Sequence, residues 1–265
     1  MAMKAYKEGG NRSPHTEKLK AFAACLLIAG SVVFDLVSSS AVAGPRKPMN
    51  VLELFTSQGC SSCPPADALL QDLAKRDDVV ALSFPVSYWD YLGWKDTLAK
   101  EEYNNRQYEY AHKRGDREIY TPQLIVNGMT HVVGSHAEAI DAAMKLTDEK
   151  LENARVPVDV EIKNGKATVT AGKAPEGSLL RDGYLSIVCY SKSVEIAIGR
   201  GENTGRDVSY TNVAREIIPV GKWNGENTQY TVDLPEGDSF DGIAALLQES
   251  ESAAMLGATA TALSR

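Results

Sequence analysis

Two cysteines three positions apart, Cys60 and Cys63, are the residues of this chain best placed to do chemistry. A C-x-x-C pair can exchange a disulfide, form half of a zinc site, or supply two thiolates to copper. The flanking sequence narrows the choice. A short apolar segment, Val51-Leu52-Glu53-Leu54-Phe55, ends just before the pair, and a helical pattern begins on it. A cysteine at a helix N-terminus meets free N–H groups and the positive end of the helix dipole, which favour thiolate over thiol. Thiolate is the attacking species in disulfide exchange. In that geometry Cys60 attacks, and Cys63, a turn later and more buried, resolves the mixed disulfide.

Two rival readings use the same sulfurs. Zinc would need two more ligands, and His112, His131 and His136 are not at ligand spacing from one another or from the pair. A copper site of two thiolates and one histidine stays open. The third reading is a static disulfide that tightens a loop in an interaction module. Cys189, between Val188 and Tyr190, reads as a small buried hydrophobe. The loop Ser87–Asp96 is dense in Trp89, Asp90, Tyr91, Trp94 and Asp96, and either shapes a groove or packs over a sheet edge. The segment GRGENTGR, residues 199–206, has the glycines of a phosphate loop. A strand-like run follows it rather than a helix, so it reads as a tight inter-strand loop in which Asn203 and Arg206 hold two parts of the chain together.

The elements that must position these residues follow from periodicity. Residues 51–55 and 79–86 read as strands, with a helix over 66–76 between them whose apolar stripe is Ala68, Leu69, Leu70 and Leu73. Pro64 and Pro65 suit a first helical turn. A helix over 97–113, capped by Asp96, ends at Gly115. Residues 120–126 and 131–133 form a hairpin around Asn127-Gly128, and a last helix, capped by Ser135, covers about 136–146. After residue 154 helix signals nearly vanish. About seven short strands separated by turns follow, of which 242–248 could equally be helical.

Thr121-Pro122 opens a strand roughly 60 residues beyond the C-x-x-C, and a proline inside a strand needs a reason. The combination resembles thioredoxin-like proteins over roughly residues 48–148. The resemblance implies a cis Thr121–Pro122 bond beside the C-x-x-C, with backbone groups there for a substrate strand. The pattern departs in three places. Gly59 stands where such proteins usually carry tryptophan, Ser61-Ser62 lies between the cysteines, and Leu54 stands where they carry a buried acid. Glu53 is its neighbour, but strand alternation turns it to the other face. The chain is also similar to a family of exported thioredoxin-like proteins known only as a domain of unknown function. The stretches that carry this are VLELFTSQGCSSCPPADALL, YWDYLGWKD, YTPQLIVNG and IGRGENTGRDVSYTNVAREI. Membership implies no particular substrate.

The expected architecture is an α/β thioredoxin-like domain over 48–150, followed by a mostly antiparallel β-sandwich-like domain over 155–265. The chain has 265 residues and a formal net charge of −7. Residues 1–43 hold five Lys/Arg and three Asp/Glu, so the remainder carries about −9. Such an acidic chain, without a basic stripe, argues against nucleic-acid partners and anionic membrane surfaces. Protein thiols or disulfides are the expected partners, and no cofactor is implied. Lysines and an arginine precede an apolar stretch, Ala21 to Val37, and Ala41-Val42-Ala43 follows it. This is the pattern of a cleaved export signal over 1–43 rather than a stable membrane span, and it places the protein in the periplasm or outside the cell. Mass spectrometry of exported material should find Gly44 as the first residue; an intact N-terminus there would refute the assignment.

Overall fold

The computed structural model describes residues 49–237 and 240–263. The expected export signal lies outside them. The first half runs β1 (Asn50–Thr56), α1 (Pro64–Leu73), β2 (Val79–Pro85), a 3-10 turn at Asp90–Leu92, α2 (Glu101–Arg114), β3 (Gln123–Val126), β4 (Thr130–Val133) and α3 (Ala137–Leu151). The second half contains only strands among its described elements. These are β5 (Val158–Lys163), β6 (Lys166–Ala171), β7 (Gly183–Ala197), β8 (Asp207–Trp223), β9 (Thr228–Asp233), β10 (Gly242–Glu249) and β11 (Met255–Ala262).

The two halves do not form an α/β thioredoxin-like domain followed by a separate β-sandwich. The protein is mostly β. One mixed eight-stranded sheet runs β11-β10-β7-β8-β2-β1-β3-β4, and a small sheet runs β5-β6-β9. The large sheet takes four strands from each half. The join is the parallel pairing of β2 with β8 at Ser83 and Val213, reinforced by the Asn212 side-chain amide donating to the Ala81 carbonyl at 2.9 Å. Period-2 patterning identifies strands but not which open edge each will meet, so the element types were readable while the shared sheet was not. β10 is buried at nearly every position, on both faces. It therefore lacks alternation, which is why its sequence could be taken for helix.

The core crosses the join. Val51, Phe55, Val80, Leu82 and Phe84 pack with Val188, Ala214, Ala244, Leu246 and Met255 in one cluster. The Asn127-Gly128 turn also docks on the second half. The Asn127 carbonyl accepts from the Met255 N–H at 2.9 Å. Gly128 has φ +69°, and a Cβ there would lie 1.9 Å from the Ala253 carbonyl oxygen. Only glycine fits that approach. α2 ends as its sequence indicates, at a left-handed Gly115. Its start is later than expected, at Glu101 after Lys100, and α3 follows His136 rather than Ser135.

If the shared core makes folding cooperative, Leu246→Ala should cost about 2–5 kcal/mol. It should also lower a single unfolding transition seen equally by probes in both halves. Two separable transitions, with only the later half affected, would contradict this reading.

Candidate functional site

Cys60 and Cys63 form a disulfide, with Cα atoms 5.5 Å apart. It lies in the turn between β1 and α1. Cys63 is the residue that caps α1, and Cys60 precedes it in a tight turn in which the Cys63 N–H donates to the Cys60 carbonyl. The sequence placed Cys60 on the helix N-terminus facing solvent. The structure instead buries both cysteines and exposes Ser61 and Ser62. Cys60 retains 3% of its surface and Cys63 none. The Ser62 hydroxyl lies 3.5 Å from the Cys60 sulfur, placed to donate to a thiolate. Pro64 and Pro65, at the first two helical positions, remove two N–H groups that would otherwise face the pair.

Other segments hold this turn. The Asp96 carboxylate accepts from the Gln58 N–H at 2.8 Å, and from the Leu98 and Ala99 N–H groups at 2.9 and 3.1 Å. Asp96 therefore caps the turn before α2 while bonding the cysteine loop, and α2 itself has no side-chain cap. The Trp94 indole donates to the Gln58 side-chain oxygen at 2.8 Å. From the second half, the buried Asn203 amide donates to the Gln58 and Cys60 carbonyls at 3.0 and 2.8 Å. The expectation that GRGENTGR joins two parts of the chain is met by Asn203. Arg206 is exposed, and its backbone bonds only Ile198 and Asn203 within its own loop, so it does not make the join.

Thr121 and Pro122 lie beside the same site. Their peptide bond is cis. A Cβ placed on Gly134 would meet both Pro122 and Ala66, so Pro122 sits near the first turn of α1. Trp89 donates through its indole to the Thr121 hydroxyl at 2.7 Å, and its Cβ closes on Gly59. The absence of a side chain at Gly59 gives Trp89 its place. Tyr91, largely exposed, stacks on Trp89 with ring centroids 6.2 Å apart. The aromatic loop thus forms a wall against Gly59, the residue before Cys60, and links Thr121 to the cysteine turn.

Two buried carboxyls flank β1 on opposite sides. Glu53 faces α2, where it pairs with Arg106 at 2.7 Å and accepts from the Tyr110 hydroxyl. Asp67, on the buried face of α1, has no such partner. Both its oxygens are buried without a well-formed hydrogen bond, although the Thr56 hydroxyl is close by. Burial pushes its pKa from 3.8 up to about 8; Thr56 opposes this only in part, and Asp96 adds to it. Asp96 is also raised by burial, against the pull of its three N–H donors. Sequence reasoning missed Asp67 because it took Ala68 and Leu69 as part of the apolar stripe; the structure buries Ala66, Asp67, Leu70 and Leu73. An acid in register with Cys63 and Leu70 was the available signal.

The remaining candidates lie elsewhere or are inert. His131 bonds the Tyr120 hydroxyl at 2.8 Å and approaches Asp116 at 3.3 Å. Among the described residues no group of three or more His, Cys, Asp or Glu side chains gathers at metal-binding spacing. Cys189 is a free buried thiol, pushed up to about 12 by burial and then by Glu216. No helix among the described residues is long and apolar enough to cross a membrane.

The chain is similar to a solved structure, protein AGR_C_4864 from Agrobacterium tumefaciens. Identity is 30% and the TM-score 0.70, over 81% of this chain and 95% of that one. HBP35 of Porphyromonas gingivalis is similar in fold alone, with 13% identity and a TM-score of 0.57 over 82% of this chain and 76% of that one. No curated protein matches. A family model described as "Protein of unknown function (DUF1223)" matches residues 51–248, and the chain belongs to that family.

Proposed function

We propose that this protein is an exported thiol–disulfide oxidoreductase, acting in the periplasm or outside the cell through Cys60 and Cys63. The observation that carries the reading is the disulfide at the head of α1, with the Thr121–Pro122 segment beside it. This local arrangement is the part of the chain that resembles thioredoxin-like proteins. Cys60 also keeps 3% of its surface while Cys63 keeps none, which favours Cys60 as the residue a partner meets.

The exchange takes a polypeptide dithiol as co-reactant. A partner thiolate attacks the Cys60 sulfur. A partner–Cys60 disulfide forms, the Cys60–Cys63 bond breaks, and Cys63 leaves with the electron pair. The partner's second thiolate then attacks its own sulfur in the mixed disulfide and releases Cys60 as thiolate. The partner is oxidised by two electrons and the protein reduced by two. The reverse sequence reduces a partner disulfide. The Ser62 hydroxyl stabilises the Cys60 thiolate by donation. Thr121 and Pro122 position the partner chain, and Trp89 with Tyr91 forms the wall it passes.

Cys63→Ser leaves a nucleophile that cannot be released. It should accumulate mixed disulfides with exported proteins, isolable on non-reducing gels, while Cys60→Ser traps none. Equal trapping by both variants, or by neither, would contradict the assignment.

A further inference from the structure

The exchange leaves one proton without a route. Cys63 is fully buried, so the charge it acquires when the disulfide opens cannot be neutralised directly by solvent. A thiolate in that position is costly unless a neighbour supplies a proton or a countercharge. The position where thioredoxin-like proteins carry an acid is Leu54, packed in the apolar cluster under α1. Glu53 lies on the opposite face and is committed to Arg106 and Tyr110.

We infer that Asp67 is the proton carrier for Cys63, a role that rests on the exchange reading above. The geometry is that of one helical turn. The Asp67 N–H donates to the Cys63 carbonyl at 3.1 Å, and Cys63 has helical φ and ψ of −78° and −37°. Residues four apart in a helix share a face, with Cβ atoms about 5–6 Å apart. Helical side chains lean toward the N-terminus, so the Asp67 carboxyl leans back over the turn that holds Cys63. It is 2% exposed, and neither oxygen is committed elsewhere by a well-formed hydrogen bond.

The groups that face it do not offer a countercharge. The loop before α2 brings Asp96, and Tyr210 comes from β8. β1 contributes the Thr56 hydroxyl, and β2 has no titratable side chain, only the buried Ser83 hydroxyl on the α1 side. With no cation beside it, the buried carboxyl keeps its proton at neutral pH and has one to give.

When a partner thiolate opens the disulfide at Cys60, the broken bond's electrons go to the Cys63 sulfur. Asp67 transfers its proton there, leaving a thiol and a carboxylate. In the reverse direction the carboxylate takes the proton back. The Cys63 thiolate then attacks the Cys60 sulfur of the mixed disulfide and expels the partner's thiolate. A proton and an electron pair thus move together at Cys63, and no further reactant is needed.

Three readouts on the full chain test this, using Asp67→Asn, with Asp67→Ala held ready should the amide fail to fold. First, Cys60→Ser is titrated by thiolate absorbance with and without the Asp67 change; any other thiol, Cys189 included, is common to both. Removing the carboxylate should lower the Cys63 titration by about one unit or more. Second, reduction of the oxidised protein by dithiothreitol, corrected for thiolate content, should slow about tenfold or more near pH 7 in Asp67→Asn. The difference should disappear above about pH 8, where Asp67 has lost its proton. Third, the wild type's stability relative to Asp67→Asn should fall as pH rises. A carboxyl of pKa about 8 in the folded chain and 3.8 ordinarily binds its proton more tightly when folded, so its contribution is full below the lower value and lost through the higher. An unmoved Cys63 titration, or superimposable rate–pH profiles, would overturn the role of Asp67. If Cys63→Ser traps partners while the titration is unmoved, Asp67 alone is refuted and exchange stands. A shifted titration without trapping refutes exchange, and with it the catalytic use of the pair.

Discussion

The cysteine turn depends on one residue from the other half of the chain. Asn203 spends both amide protons on the Gln58 and Cys60 carbonyls, and it is itself buried. Removing it would strand two carbonyls beneath the loop, at about 1–3 kcal/mol each. Its loop lies beside the aromatic wall, where Gly199 and Gly201 approach Trp94. Trp94 in turn holds the Gln58 side chain. The conformation presented by Cys60 is thus fixed jointly by β1, the loop before α2, and a loop 140 or so residues later in sequence. The β2–β8 pairing makes that meeting possible by fusing both halves into one sheet.

The same sheet separates two buried acids by what each meets. Glu53 finds a guanidinium and a phenol on α2, and Arg106 also lies over the Phe84 and Tyr110 rings. That is a closed structural network, in which breaking one partner would leave a buried charge. Asp67 faces a region without cations and keeps an uncommitted carboxyl. Perturbed acids with a nearby reactive group are where proton chemistry concentrates. The contrast comes from strand and helix periodicity, which sends neighbouring acids to opposite sides of one layer.

Much of the site was legible in sequence. The C-x-x-C, the Thr121-Pro122 step, the Asn127-Gly128 turn and Asn203 are all local signals, each tied to a turn or to a residue type that turns require. The element types of the first half followed from periodicity. The architecture did not follow, because edge pairing is a long-range choice that alternation leaves open. The second half contributes four strands to the first half's sheet, and its most buried strand carries no alternation at all. The burial of Cys60 was missed for the same reason: the loop that bonds it comes from the second half. Asp67 was missed because the apolar stripe was drawn through Ala68 and Leu69, while the helix buries Ala66 and Asp67 with Leu70 and Leu73.

The central claim is that the Cys60–Cys63 pair exchanges rather than merely staples its turn. Equilibration with glutathione of defined redox ratio, followed by thiol counting, reads this directly. An exchanging pair should equilibrate and give a potential between about −270 and −120 mV, the span of known dithiol catalysts. A potential below about −300 mV, where structural disulfides of secreted proteins lie, would contradict the account.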